Sequence, residues 1–138
     1  MKVVLDSTVL VSIFSDVDKF HEKGFSIYSD ILDKKIDAVI PTLALPETCG
    51  VIRRSFGEHA ATIVEDQLTT LVDNSMISAK ELSIERMKKA VESTIRFSIK
   101  GGDAVFVSLA GEDGTPLATF DEKLKKKLKG KAKLYKMS

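Results

Sequence analysis

Four acidic side chains stand out by where they fall along the chain. Asp6 ends a short apolar run, Val3-Val4-Leu5, and Asp121 ends another, Leu117-Ala118-Thr119-Phe120. Asp103 follows a Gly101-Gly102 break, and Glu47 lies within two turns of the helix expected after a third run, Ala38–Ile40. Each has an ordinary structural reading. Asp6, Asp103 and Asp121 immediately precede predicted helices, where Asp is a favoured N-cap worth about 1 kcal/mol. Glu47, flanked by Leu43 and Val51 at i−4 and i+4, is either a partly exposed surface residue or, if buried, needs a partner or a metal. Jointly they say more. Four acids at one edge repel each other unless a cation sits among them. Oxygen-only donors favour Mg²⁺ or Mn²⁺ over zinc. Such ions activate water, neutralise phosphate and stabilise a leaving oxygen, which suits phosphodiester hydrolysis.

The elements that must position these acids follow from the periodicity. Strands are predicted at Val3–Leu5, Ala38–Ile40, Ser75–Ala79 and Pro116–Phe120, with Ala132–Tyr135 as a fifth. Helices are predicted over Thr8–Phe14, from about Phe20 to Lys35, and from a Thr42 cap to Phe56, with Gly57 ending it. Three more are expected over Glu58–Asp73, from Ser83 through Ile84, Met87, Val91 and Ile95, and over Asp103–Gly111. A lysine-rich helix over Asp121–Leu128 completes the set. Pro46 makes the third helix irregular at its start, and its core stripe is read as Leu45, Cys49, Ile52 and Phe56. Alternating strands and helices imply an α/β fold, with a parallel sheet of four to five strands covered on both faces. Ligands of such sheets bind at the carboxyl ends of the strands, where strand order reverses. All four acids are placed to reach that edge.

Composition narrows the class. The 138 residues are one domain by size, with 43% hydrophobic and 30% charged residues, so a packed core is expected and not disorder. No apolar run approaches the roughly 18 residues of a membrane span, and the first residues lack a signal peptide's apolar core, so a cytoplasmic location is expected. Cys49 is the only cysteine, which excludes an internal disulfide and a thiolate zinc cage. It is read as a small buried hydrophobe. Net charge is +1, yet residues 123–138 hold eight lysines and no acid. Without them 13 basic residues face 20 acidic ones, a net −7 for residues 1–122. The basic tail is either a solvated last helix or a sequence-independent contact to nucleic-acid phosphate.

Four motifs in order now resemble the PIN-domain family of ribonucleases, most of all the small VapC-type toxins of toxin–antitoxin pairs. They are Val3-Val4-Leu5-Asp6-Ser7-Thr8, Leu45-Pro46-Glu47, Gly102-Asp103-Ala104-Val105, and Leu117 to Leu124 around Asp121. Their order and spacing match the family from residue 2 to about residue 136. The resemblance implies a three-layer α/β/α sandwich over residues 1–138. It also implies Mg²⁺ or Mn²⁺ held by Asp6, Glu47, Asp103 and Asp121, and hydrolysis of RNA with a metal-activated water. It implies a homodimer and a small antitoxin that obstructs the acidic site. Thr8 matches the family's hydroxyl position, with a carboxylate or the substrate as its partner, or a capping role. Arg53 and Arg54 are candidates for RNA phosphate, with a solvated helix end as the plainer reading. Glu122 is read as a favourable charge at a helix start, and His21 and His59 as packing or surface residues.

Three further readings stay open at this stage: a housekeeping PIN nuclease of RNA processing, a PIN-like binding module without activity of its own, and a receiver-type signalling domain. The last expects an acidic pair after the first strand and an Asp after the third. The chain has neither.

Overall fold

The structure is a computed structural model that describes residues 1–137. Its sheet has four parallel strands, β1 (Lys2–Leu5), β2 (Asp37–Pro41), β3 (Ile77–Lys80) and β4 (Leu117–Ala118), in the order β3-β2-β1-β4. Val3, Val4 and Leu5 are fully buried, as a central strand covered on both faces requires. The first two connections run outward through α1 (Ser7–Phe14) and α2 (His21–Leu32), then α3 (Ala44–Phe56) and α4 (Glu58–Asp73). The third, α5 (Ile84–Phe97) with α6 (Gly101–Glu112), returns past β1 to β4, and α7 (Glu122–Leu128) follows. Right-handed crossovers travelling in opposite directions lie on opposite faces of a sheet. The contacts agree: α1 packs on α2 and α3, α3 on α4, while α6 covers β1, β2 and β4 beneath α5. The expected α/β/α sandwich is therefore present, and strand order reverses between β1 and β4.

The fifth strand is reduced to a single parallel bridge, Leu117 to Leu134. β4 itself is short: beyond Ala118 two backbone N–H groups turn to side chains, Phe120 N–H to Thr8 Oγ1 at 2.9 Å and Asp121 N–H to Thr119 Oγ1 at 3.1 Å. On its other edge Leu117 exchanges backbone hydrogen bonds with the segment after α7, its N–H donating to the Lys133 carbonyl and its carbonyl accepting from Tyr135 N–H.

Helix α3 differs from its sequence reading by about one residue of rotation. Ala44, Thr48 and Ile52 face the core, Cys49 is only partly buried and Phe56 is exposed. Thr42 does not cap it; Leu43 is the first flanking residue and no side chain closes the end. Pro46 falls in the first turn, where a missing N–H leaves no bond unmade. Helix α5 forms where its spacing predicts, but Ile84, Met87, Val91 and Ile95 point to solvent and Ala90 and Phe97 to the core.

The α1–α2 crossing depends on one glycine. A Cβ at Gly24 would lie 2.0 Å from Ser12 Oγ and 2.9 Å from Ser12 Cβ, and Ser12 is itself fully buried. Gly24→Ala is expected to lower stability by about 1–3 kcal/mol in urea unfolding, as overpacking does. Adding Ser12→Ala should recover only part of this, because the Cβ contact remains.

Candidate active site

Asp6 leaves β1 at the reversal of strand order and caps α1. Its Oδ1 accepts from the N–H groups of Thr8 (3.0 Å) and Val9 (3.2 Å) and from the Thr8 hydroxyl. Thr8 Oγ1 in turn accepts from Phe120 N–H, so one hydroxyl joins the end of β1 to the end of β4. Its only proton goes to a carboxylate, one of the partners expected for it. Asp6 is 5% exposed. Burial pushes its carboxyl up to about 6, against the pull of the Thr119 and Thr8 hydroxyls and the Val9 and Thr8 N–H groups.

Asp121 stands across the reversal and caps α7, its Oδ1 accepting from Leu124 N–H at 3.1 Å. Glu47 projects from the first turn of α3. Its Oε1 accepts from Ser7 Oγ at 2.8 Å, which ties α3 to the start of α1. Its Oε2 lies where Gly102 permits it: a Cβ there would be 3.1 Å away. Asp103 is the third residue of α6 and caps nothing, since Lys100 occupies the N-cap position. The capping explanation therefore holds for Asp6 and Asp121 and fails for Asp103. Burial raises the Asp103 carboxyl first, then the charges of Asp121 and Glu47; Lys100 and Lys127 oppose the rise.

All four acids line one pocket of about 310 Å³ with Ser7, Thr8, Pro46 and Arg54 among its walls. The donor chemistry fits a hard divalent cation. Asp6, Glu47 and Asp121 each have one oxygen held by the protein, and their other oxygens together with Asp103 supply an all-oxygen set. Among the described residues, no three Asp, Glu, His or Cys side chains are already grouped as a metal cluster. The carboxylates share a pocket without converging on one point.

Of the two arginines, Arg54 lines the pocket, while Arg53 is exposed and does not. Glu122 is exposed and pairs with Lys125 at 3.5 Å, as a charge at a helix start would. His21 Nδ1 is 2.7 Å from the Ser12 carbonyl and its ring lies beside Phe25, a packing role, and His59 is exposed. Two cations escaped the sequence reading. Lys100 and Lys127 both act on Asp103, and Lys127 Nζ donates to the Ser98 carbonyl at 2.6 Å. The lysine-rich tail was the available signal, but only the fold says which lysine reaches the acids.

The sequence matches the family model of the PIN domain over residues 3–129. No curated protein matches it in sequence. Among solved structures it is similar to Mycobacterium tuberculosis VapC20, described as a sarcin-ricin loop cleaving toxin. That match has 14% identity and TM-score 0.75, over 90% of this chain and 93% of that one. It is also similar to a chain of VapBC2 from Rickettsia felis, solved bound to promoter DNA, at 15% identity and TM-score 0.70 over 98% of both chains. A toxin–antitoxin complex from Klebsiella pneumoniae matches at 13% identity and TM-score 0.70, over 97% and 96%. No helix among the described residues is long and apolar enough to cross a membrane.

Asp6 should make the metal-free protein less stable as pH rises. The folded state keeps its proton up to about 6, whereas the unfolded chain releases it near the ordinary 3.8. Stability from this group is thus full below 3.8, falls through the interval and levels off above about 6. Asp6→Asn should remove that decline and stabilise the fold at pH 7 by up to about 3 kcal/mol. Urea unfolding of both proteins in chelator from pH 4 to 8 checks this, and parallel pH profiles would refute it.

Proposed function

Since the chain belongs to the PIN domain family, we propose that it is an Mg²⁺- or Mn²⁺-dependent endoribonuclease, and the toxin of a VapBC-type pair. The observation that carries the reading is the joint lining of one pocket by Asp6, Glu47, Asp103 and Asp121 at the β1–β4 reversal. These four would hold the ion. When bound, it supplies Lewis acidity and a water acidic enough to attack phosphorus at neutral pH.

The chain's own residues account for the rest of the site. The Thr8 and Ser7 hydroxyls fix the Asp6 and Glu47 carboxylates, each through one oxygen. The first turn of α6, which no side chain caps, meets the pocket, so its backbone N–H groups favour an anionic phosphate there. Arg54 on the α3 side, and Lys100 and Lys127 on the α6–α7 side, are placed for phosphates flanking the one that is cut.

The toxin reading draws on the descriptions of the relatives, several of which are toxin–antitoxin complexes. It brings a small antitoxin that covers the acidic pocket, and a homodimer. A housekeeping nuclease would use the same pocket without an antitoxin. A receiver-type module is disfavoured because no Asp follows β3.

Purified protein with Mn²⁺ should cleave RNA. Asp103→Asn, at a residue that caps nothing, should lower the rate by more than the roughly 100-fold typical of losing an outer-shell metal partner. Calorimetry should show its Mn²⁺ affinity reduced. Cleavage that survives in both Asp103→Asn and Asp6→Asn would sink the site assignment, and Mn²⁺ binding without cleavage would favour a binding module.

Lys127→Ala and Arg54→Ala should each weaken binding of a non-cleavable 2′-O-methyl RNA alike for all sequences. Each should reduce the slope of log affinity against log salt by about 1. An unchanged slope for a variant rules out its phosphate contact.

A further inference from the structure

The acidic pocket accounts for only part of the lysine-rich end of the chain, and the fold sends its lysines to different places. Lys127 reaches the Ser98 carbonyl and acts on Asp103. Lys131 and Lys133 instead line a second groove, of about 690 Å³, between α5, α6 and the segment after α7. That segment is fastened by its backbone. Leu117 N–H donates to the Lys133 carbonyl at 3.0 Å, and the Lys131 and Ala132 N–H groups donate to the Leu128 carbonyl at 2.8 and 3.0 Å. Both lysines are exposed, while Ala132 between them is partly buried. They are held along the groove by the fold and do not belong to a loose tail.

Helix α5 adds Lys89 and Arg96 to the lining, over the buried side chains of Phe97, Val107 and Leu117. The Arg96 guanidinium lies 5.0 Å from the centre of the Phe97 ring. Two acids also line the groove. Glu112 is paired with Arg86 at 2.8 Å, which leaves Glu92 against four cations. Among the described residues none of the four takes part in a salt bridge. Excess positive charge over apolar surface suits a chain of phosphates that carries bases, since cations hold the backbone while base faces cover the apolar floor. A compact single anion fits less well. The groove meets the C-terminal end of α6 at Gly111 and Glu112, where helix carbonyls repel negative charge.

The groove also continues the line of the acidic pocket. Asp103, Val107, Ala110 and Gly111 stand at i, i+4, i+7 and i+8, on one face of α6. Asp103 lines the pocket and the other three line the groove. At about 1.5 Å per residue, Val107 to Gly111 lie about 6 to 12 Å beyond Asp103 along the helix axis. We propose that this groove is a second contact site for the RNA strand, which runs from the acidic pocket along α6 between Lys89 and Arg96 of α5 and Lys131 and Lys133 of the last segment. The proposal rests on the RNA-cleaving reading of the preceding section and adds the path of the strand beyond the cut.

Binding of a 2′-O-methyl RNA of about 12 nucleotides to the full chain with Mn²⁺, over a salt series, tests it. Lys131→Ala with Lys133→Ala, both at exposed side chains, should weaken binding on the order of tenfold at about 0.1 M salt. The slope of log affinity against log salt should fall by about 1.4, or about 0.7 for each single-strand contact. Lys2→Ala with Lys35→Ala removes two exposed lysines near the amino edge of the sheet and should leave the slope unchanged. Glu92→Gln, which removes the unpaired acid of the groove, should tighten binding. A groove variant that loses no more than the control pair, or a Glu92→Gln that does not bind more tightly, overturns the proposal and leaves RNA binding to the acidic pocket. Polyglutamate that binds as tightly as RNA, and loses affinity equally in the groove variant, would make the groove a protein-docking surface and also overturn it. A parent that binds no RNA rejects the preceding reading and this one together. A parent that binds RNA through the groove without cleaving any sinks the nuclease reading and keeps the groove.

Discussion

Carboxylates repel one another in a pocket partly closed to bulk water, and this chain brings four of them to the carboxyl edge of one sheet. Several local features of the fold answer that repulsion. Asp6 and Asp121 are each spent partly as helix caps, so backbone N–H groups neutralise part of their charge. Glu47 is steadied by a hydroxyl from another helix, and a Cβ at residue 102 of α6 would press on its Oε2 at 3.1 Å. The truncation of β4 belongs to the same set. Its last N–H groups go to Thr8 and Thr119, the two hydroxyls that attend Asp6. A longer ladder there would need those donors back.

The site was legible in the sequence to the extent that it obeys chain-local rules. Asp6 and Asp121 follow short apolar runs, and the rule for open parallel sheets makes the carboxyl ends of such strands the place for a ligand. The strand order, which the sequence left open, makes β1 and β4 neighbours and so puts the two acids on either side of the reversal. What sequence could not supply was rotation and reach. A stripe of Leu45, Cys49, Ile52 and Phe56 is a good helical period. The alternative through Ala44, Thr48 and Ile52 carries a smaller and more polar face, yet it is the one buried. Thr48 Oγ1 is buried there without a hydrogen-bond partner, a choice that hydrophobic periodicity cannot anticipate. In α5 the error ran the other way. The strongest apolar period of that helix marks its outer face, because α6 already fills the space beneath the sheet's cover with six buried residues of its own.

The stability of this fold and the chemistry of its pocket pull in opposite directions at Asp6. A buried carboxyl held up to about 6 favours the protonated state, while holding a cation requires the ionised one. The hydrogen bonds from Thr8 and Val9 narrow that gap without closing it. Removing the charge would relieve the fold, and the presence of Asp6 at the centre of the sheet is therefore hard to explain by folding alone. Capping does not suffice as a reason, because Ser or Asn would cap α1 without a buried charge.

The basic tail completes the same electrostatic argument. Residues 1–122 carry a net −7 and include all four site acids, so the body alone would repel a polyanion. Helix α7 reverses this locally. It begins with the fourth acid, Asp121, and within two turns supplies Lys127, anchored to the Ser98 carbonyl close to the start of α6. Positive charge is thus brought beside the acids by the element that helps to build the pocket, and not by a separate domain. Cations at the rim and carboxylates at the floor are compatible demands only if they sit at different depths. A helix with its N-terminus at the pocket and its lysines further along provides that separation.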